Sequence, residues 1–198
     1  MICILIAILA AAGSIRVAAQ SSESFRYQGI ARDTELASLT ARFPSSSHEF
    51  WGKDALFILS TDNAEEFRHR IAQGAGEYLV RISEKESKDH VYYLDAKIDG
   101  GITNRLRLSF ERPDNIKPAR GYVENKRSRS PPCSPVLADL SKRYGKPEGP
   151  DSVQEEALEN LTYSWRNSSE ELKLVCGKYQ GQRDIFAMEV IFSRPQSN

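Results

Sequence analysis

The feature that most constrains the fold is an internal repeat. Residues 36–43 (Leu-Ala-Ser-Leu-Thr-Ala-Arg-Phe) match residues 137–144 (Leu-Ala-Asp-Leu-Ser-Lys-Arg-Tyr). Further along, residues 92–113 align without a gap with residues 174–195, and both stretches end in Phe-x-Arg-Pro. Because the two matches occur in the same order, they predict that one supersecondary unit is used twice.

We place repeat one at residues 20–113 and repeat two at residues 133–198, each beginning with a helix. In repeat two, Ser134 is a favourable N-cap and Gly145 a favourable C-cap. Apolar residues recur at helical spacing in both copies, namely Leu36, Leu39 and Phe43 in repeat one and Leu137, Leu140 and Tyr144 in repeat two. Both helices are therefore expected to pack one apolar face on a sheet.

Each helix is followed by segments of strand character. The alternation and turn residues predict strands over 77–83, 90–98 and 102–111 in repeat one, and over 161–166, 172–179 and 185–193 in repeat two. Asp99-Gly100-Gly101 is a strong hairpin signal. The predicted fold class is α+β: two tandem helix-plus-antiparallel-meander repeats, which could share one sheet with the helices on one face.

Repeat one is longer than repeat two, and the extra residues lie within the segment 45–76. We interpret this insertion as an added strand and a helix over 64–73, capped by Asp62 or Asn63. Residues 114–132 are rich in proline and in basic side chains, which predicts an extended, solvated linker.

The first residues predict export. Ile2–Ala12 is an apolar run shorter than the roughly 20 residues that a membrane span needs. Val17-Ala18-Ala19 fits the small-x-small rule for cleavage, so residues 1–19 are interpreted as a signal peptide, with a signal anchor as the alternative. No second apolar run follows, and we predict a secreted or periplasmic protein without a membrane span after signal removal.

The cysteines agree with export. Cys3 falls in the predicted signal peptide, which leaves Cys133 and Cys176 as an even pair. The pair is expected to form a disulfide that joins the start of the second helix to the middle strand of repeat two. We assign no metal site, because the three histidines lie far from these cysteines in the sequence.

The charge and the motifs exclude several functions. Lys plus Arg is 27 and Asp plus Glu is 27, so no global field gathers nucleic acid or an anionic membrane. No nucleophile elbow, metalloprotease helix, P-loop or dinucleotide fingerprint is present. We therefore assign no catalytic, cofactor-binding or metal-binding residue. The alternative is a small cell-envelope enzyme with its site in the insertion 45–76, where His48 or His69 would share a pocket with a carboxylate.

The capped helices carry a family resemblance. Asp33–Pro44 and Ser134–Pro147 both close on a proline, the second through Tyr144-Gly145-Lys146-Pro147. This pattern resembles the tandem repeats of the β-lactamase-inhibitory-protein-like group and of related outer-membrane lipoprotein assembly modules, and it is similar to exported bacterial proteins of unknown function. That group has two helical segments before its strands and usually more cysteine, so the resemblance implies the repeat architecture but not the inhibition of a β-lactamase.

The aromatic residues suggest a function for the sheet. Trp165, Tyr179 and Tyr93 fall on predicted strands, and tyrosine and tryptophan are favoured at protein interfaces. If one face of the sheet has no helix, outward aromatics would form a binding surface for a protein or an envelope component. Cross-strand packing on a partly hydrated sheet is the alternative, and a purely structural role in the envelope also fits the sequence.

Overall fold

The protein is described from a computed structural model that covers residues 24–87, 90–110 and 130–195. The predicted signal peptide and residues 114–129 of the predicted linker lie outside this range, as do residues 20–23, 88–89, 111–113 and 196–198 of the two predicted repeats. The strands are β1 (Arg26–Tyr27), β2 (Ile30–Ala31), β3 (Ser47–Gly52), β4 (Leu56–Ile58), β5 (Gly76–Arg81), β6 (Tyr93–Asp99), β7 (Ile102–Ser109), β8 (Glu148–Glu155), β9 (Leu158–Arg166), β10 (Glu171–Tyr179) and β11 (Ile185–Ser193). The α-helices are α1 (Leu39–Arg42), α2 (Ala64–Gln73) and α3 (Cys133–Tyr144).

Nine of the strands form one antiparallel sheet. Their order is β4-β3-β5-β6-β7-β11-β10-β9-β8, and the remaining pair, β1 and β2, forms a small separate ladder. The two parts of the chain meet at the centre, where β7 pairs with β11. The α+β class is thus confirmed, with the sheet predominating over three short helices.

On both sides of the central β7–β11 pair, the strands follow one another outward in reverse chain order, apart from β4 at one edge. β6, β5 and β3 follow β7, while β10, β9 and β8 follow β11, and β4 is added beyond β3. The duplication itself stays a prediction. The two predicted meanders are present, as β5, β6 and β7 and as β9, β10 and β11. The second half has one strand more than predicted, and the insertion holds two strands, β3 and β4, where one was predicted. The missed strand in the second half is β8, in which every residue is exposed and no hydrophobic alternation marks the strand.

The helices lie on one face of the sheet. In register across the sheet, one row of buried side chains consists of Tyr78, Ala96, Leu106, Phe192, Leu172 and Trp165. The ring of Phe67 on α2 is 6.1 Å from that of Tyr78, and Trp165 donates a hydrogen bond of 2.8 Å to the carbonyl of Gly145 after α3. We call this the covered face. The opposite face, the open face, carries the row Glu49, Leu79, Asp95, Arg107, Ile191, Lys173 and Ser164.

The predicted helices are present, and the first and last of them differ from the prediction at their ends. The first divides into a 3-10 turn over Leu36–Ser38 and the four-residue α1, and its predicted apolar face is buried. The helix predicted over residues 64–73 is α2, and Phe67 and Ile71 are its buried residues. Helix α3 begins at Cys133, so Ser134 lies inside the first turn and is not its N-cap.

The predicted disulfide is confirmed. Cys133 and Cys176 are bonded with an S–S distance of 2.04 Å, and both are almost fully buried. The bond joins the start of α3 to β10, so it attaches the helix directly to the sheet. Among the described helices, none is long and apolar enough to cross a membrane.

Candidate binding surface

Most of the open face is covered by ion pairs between neighbouring strands. On β7, Arg107 pairs with Asp95 of β6 and, at 3.3 Å, with Glu189 of β11. Further pairs lie toward both edges: Glu49–Arg81 (3.4 Å), Glu77–Lys97 (3.5 Å), Glu171–Arg166 (2.7 Å), Glu171–Lys173 (3.1 Å) and Glu148–Arg166 (2.8 Å). Opposite charges on adjacent strands stabilise a hydrated sheet surface, so this part of the open face needs no further protein to cover it.

One corner of the open face is different, because it is apolar. Trp51 of β3 lies directly opposite Leu56 of β4, and Ile58 is the diagonal neighbour of Trp51. The three residues, which we call the corner patch, are 49%, 41% and 55% exposed, respectively. Glu49 and Arg81 form an ion pair at its border. Contiguous exposed apolar residues with a charged border are typical of interaction sites.

The corner patch lies at a free strand edge. The N–H of Leu59 donates to the carbonyl of His48 (3.0 Å), and the N–H of Gly52 donates to the carbonyl of Ala55 (2.9 Å). These two bonds show that the backbone groups of Ala55 and Leu59 point toward β3. By the alternation of an antiparallel ladder, the N–H groups of Leu56 and Ile58 face away from β3, and no described residue bonds them. The carbonyl of Ile58 accepts a hydrogen bond from the side chain of Asn63 (2.8 Å).

The other edge of the sheet is protected. Strand β8 is exposed throughout and carries Glu148, Asp151 and Glu155 together with Pro150. Charged side chains and proline on an edge strand prevent pairing with another chain. Strand β4 reads Leu-Phe-Ile and has neither. The two edges of the same sheet therefore differ sharply in their capacity to accept a further strand.

The aromatic residues selected from the sequence do not form the exposed surface that we expected. Trp165 is on the covered face and only 4% exposed, so it is withdrawn from the proposed contact surface. The reason is its register opposite the buried Leu172. Tyr93 does lie on the open face, opposite Arg81 and Ser109, but it is 8% exposed.

Tyr179 is partly buried, and its ring stacks on Phe186 with centroids 5.4 Å apart. The residues that the sequence reasoning missed are those of the corner patch. Their only local signal is the apolar run from Ala55 to Leu59 after Trp51. That run indicates a strand, but it does not show which face the strand exposes.

His48 is an interior residue. It is 1% exposed, and its Nε2 lies 2.8 Å from the carbonyl of Phe43, which can only accept. Nε2 therefore carries the proton, and Nδ1 accepts from the hydroxyl of Tyr78 at 2.7 Å. Burial lowers the pKa of His48, although the bond to Phe43 and the attraction of Glu86 act in the opposite direction. Both ring nitrogens are thus occupied, and neither is open to a substrate.

The carboxylate near His48 belongs to Glu86, and Ser45 and Ser46 hold it by hydrogen bonds. Glu86 accepts hydrogen bonds from the backbone N–H of Ser45 (2.8 Å) and the hydroxyl of Ser46 (2.7 Å). Desolvation opposes its ionisation, but the hydrogen bonds from Ser46, Ser45 and Ser83 outweigh it and lower the pKa of Glu86. This arrangement connects two loops, and its contacts are structural.

We expect the stability of the protein to fall as the pH drops below about 6.5, because burial lowers the pKa of His48 and the unfolded His48 therefore binds a proton more readily than the buried one. The His48 contribution is at most about 1.4 kcal/mol per pH unit. Urea unfolding between pH 7.5 and 5, in steps of about half a unit, measures this slope. A His48→Gln variant should show a shallower slope, and an unchanged slope contradicts the assignment.

The other histidine of the insertion is at the surface. His69 is exposed on α2 and lines a cavity of about 450 Å³ to which Asp54 and Phe57 also contribute. Within the described parts of the chain, no group of three or more His, Cys, Asp or Glu residues could hold a metal ion. The envelope-enzyme alternative stays a hypothesis.

Comparison with known proteins adds no assignment. No family model matches the chain, and neither a curated protein nor a solved structure shows significant similarity to it. The resemblance to β-lactamase-inhibitory-protein-like repeats therefore stays a prediction.

Proposed function

We propose that this protein is an exported protein-binding module that contacts its partner through the corner patch and the free edge of β4. Two observations are compatible with an oxidising location outside the cytoplasm: the signal-like sequence of residues 1–19 and the disulfide between Cys133 and Cys176.

The observation that carries the proposal is the coincidence of exposed apolar side chains with unpaired backbone donors. Trp51, Leu56 and Ile58 offer an apolar centre with charged residues at its border, which is the anatomy of a protein interface. Tryptophan is also enriched among the residues that dominate binding energy. The N–H groups of Leu56 and Ile58 could donate hydrogen bonds to the carbonyl groups of an added strand. The partner is accordingly a protein that presents an extended segment with apolar side chains.

Two variants test the proposal with the purified, oxidised protein as bait for a native cell-envelope fraction. Trp51→Ala removes the largest exposed ring and is expected to weaken capture of the partner at least tenfold, or about 1.4 kcal/mol. Leu56→Pro deletes an outward N–H and should weaken it as well, since this group makes no bond to β3. Quantitative binding assays with the captured protein measure both effects.

The matched control is Val153→Ala, which truncates an equally exposed residue (56%) on the protected edge strand β8. Circular dichroism shows whether each variant is folded. The proposal fails if no protein is captured, or if folded Trp51→Ala and Leu56→Pro variants bind the partner as tightly as Val153→Ala does.

A further inference from the structure

A second feature lies in the other half of the sheet. A cavity of about 670 Å³ opens between the start of α3 and the turn that joins β10 to β11. Its apolar wall includes Leu137, Tyr163 and Ile185. This volume is in the range of sites that hold small organic molecules, and such sites combine an apolar lining with a few polar groups.

A buried hydroxyl in this cavity has no partner. Ser130 lines the cavity and is 8% exposed, and its Oγ is buried without a hydrogen bond to any described residue. Buried polar groups in folded proteins are almost always hydrogen-bonded, so an orphaned hydroxyl needs an explanation. A ligand that fills the cavity and reaches this hydroxyl would supply the missing partner.

Oppositely charged groups also line the cavity without neutralising each other. Arg183 and Asp184 are neighbours in the chain, yet neither forms an ion pair or side-chain hydrogen bond with a described residue. Both residues lie in the exposed loop between β10 and β11, where their charged groups can meet a ligand. His90 lines the same cavity with a φ of 63°, a left-handed conformation that side chains other than glycine rarely adopt.

We propose that this cavity binds a small zwitterion with an apolar body, such as an aromatic α-amino acid. A carboxylate would accept hydrogen bonds from the Arg183 guanidinium and the Ser130 hydroxyl, while an ammonium group would pair with Asp184. The apolar body would pack on Leu137 and Tyr163. A net-neutral pair of charges favours a ligand that carries both signs over one that carries a single sign.

Four small probes separate the parts of this proposal. L-phenylalanine carries both charges and a ring, 3-phenylpropanoate lacks the ammonium group, 2-phenylethylamine lacks the carboxylate and glycine lacks the ring. Titration up to about 10 mM, followed by calorimetry and by amide NMR shifts, covers millimolar affinities. We expect phenylalanine to bind at least tenfold more tightly than each of the other three, with shifts concentrated in residues 130–137 and 181–186 and at His90 and Tyr163.

Variants then test whether the two charged groups contact the ligand. Arg183→Gln and Asp184→Asn are each expected to weaken phenylalanine binding about tenfold, whereas Lys142→Gln, at an exposed position on α3 outside the cavity lining, should leave it unchanged. Both cavity variants change surface residues of a turn, so amide spectra should show them folded. The proposal is overturned if phenylalanine does not bind, if 3-phenylpropanoate or 2-phenylethylamine binds equally well, or if Arg183→Gln and Asp184→Asn bind like the wild type.

Discussion

Replacing Glu170 with alanine is expected to reduce the free energy of unfolding by about 3–5 kcal/mol. Glu170 is 2% exposed and forms an ion pair of 3.1 Å with Arg32, which is itself largely buried. Breaking a buried pair by removing one partner leaves the other charge without compensation, and that is the source of the large effect.

The carboxylate of Glu170 also organises the backbone around it. Its Oε1 accepts from Arg32 Nε (3.2 Å), and its Oε2 accepts from the backbone N–H of Phe25 (3.0 Å). Arg32 in turn donates to the carbonyl of Thr103 at 3.0 Å. Because Glu170 lies between β9 and β10 and Thr103 lies on β7, these bonds attach the N-terminal segment to both halves of the sheet. The alanine variant loses all of the bonds to Glu170 together.

Urea unfolding of the wild type and the Glu170→Ala variant at neutral pH measures the difference. Glu66→Ala is the control, because Glu66 pairs with Arg70 across an exposed turn of α2, where both side chains are well hydrated. Such a surface pair contributes less than about 1 kcal/mol. Similar losses for the two variants would contradict the importance of the buried pair.

Removal of the disulfide is the second change with a large expected effect. The Cys133→Ala/Cys176→Ala variant should lose about 4 kcal/mol, because the bond closes a loop with a sequence separation of 43 and so restricts the unfolded chain. Both cysteines are buried, at 3% and 0% exposure, so the loss of sulfur atoms from the core adds to the effect.

Urea unfolding of the oxidised wild type, the reduced wild type and the double variant measures this contribution. The reduced protein should unfold at a clearly lower urea concentration than the oxidised one. Reductant should not change the unfolding of the double variant, which serves as the control. An unchanged midpoint after reduction of the wild type would show that the bond contributes little to stability.

Much of the fold could be predicted because its signals are local. Helix α2 follows from Phe67 and Ile71 at helical spacing, and the β6–β7 hairpin follows from its glycine turn. Strand β8 was missed because its formation depends on pairing with β9 rather than on hydrophobic alternation. Ser134 is a good N-cap by residue type. The helix nevertheless begins one residue earlier, at Cys133, which the disulfide bonds to Cys176 of β10.

The candidate binding surface was harder to predict than the strands. Alternation shows that Tyr163 and Trp165 share a face, but only the pairing of β9 with β10 shows that this is the covered face. Likewise, Trp51 is followed in the sequence by an apolar run typical of a core strand. Its exposure results from the position of β3 and β4 at the edge of the sheet, which depends on contacts distant in the chain.

The unequal edges of the sheet have a consequence for solubility. Fibrous assemblies grow when one edge of a molecule pairs with the opposite edge of the next, so that every addition leaves a new end. Here β4 lacks charge, whereas β8 bears acidic residues along an exposed strand. A head-to-tail contact between β4 and β8 would bury the carboxylates of Asp151 and Glu155, which form no ion pair with a described residue, and that is costly. The molecule can therefore keep one edge open to strand pairing without forming head-to-tail polymers.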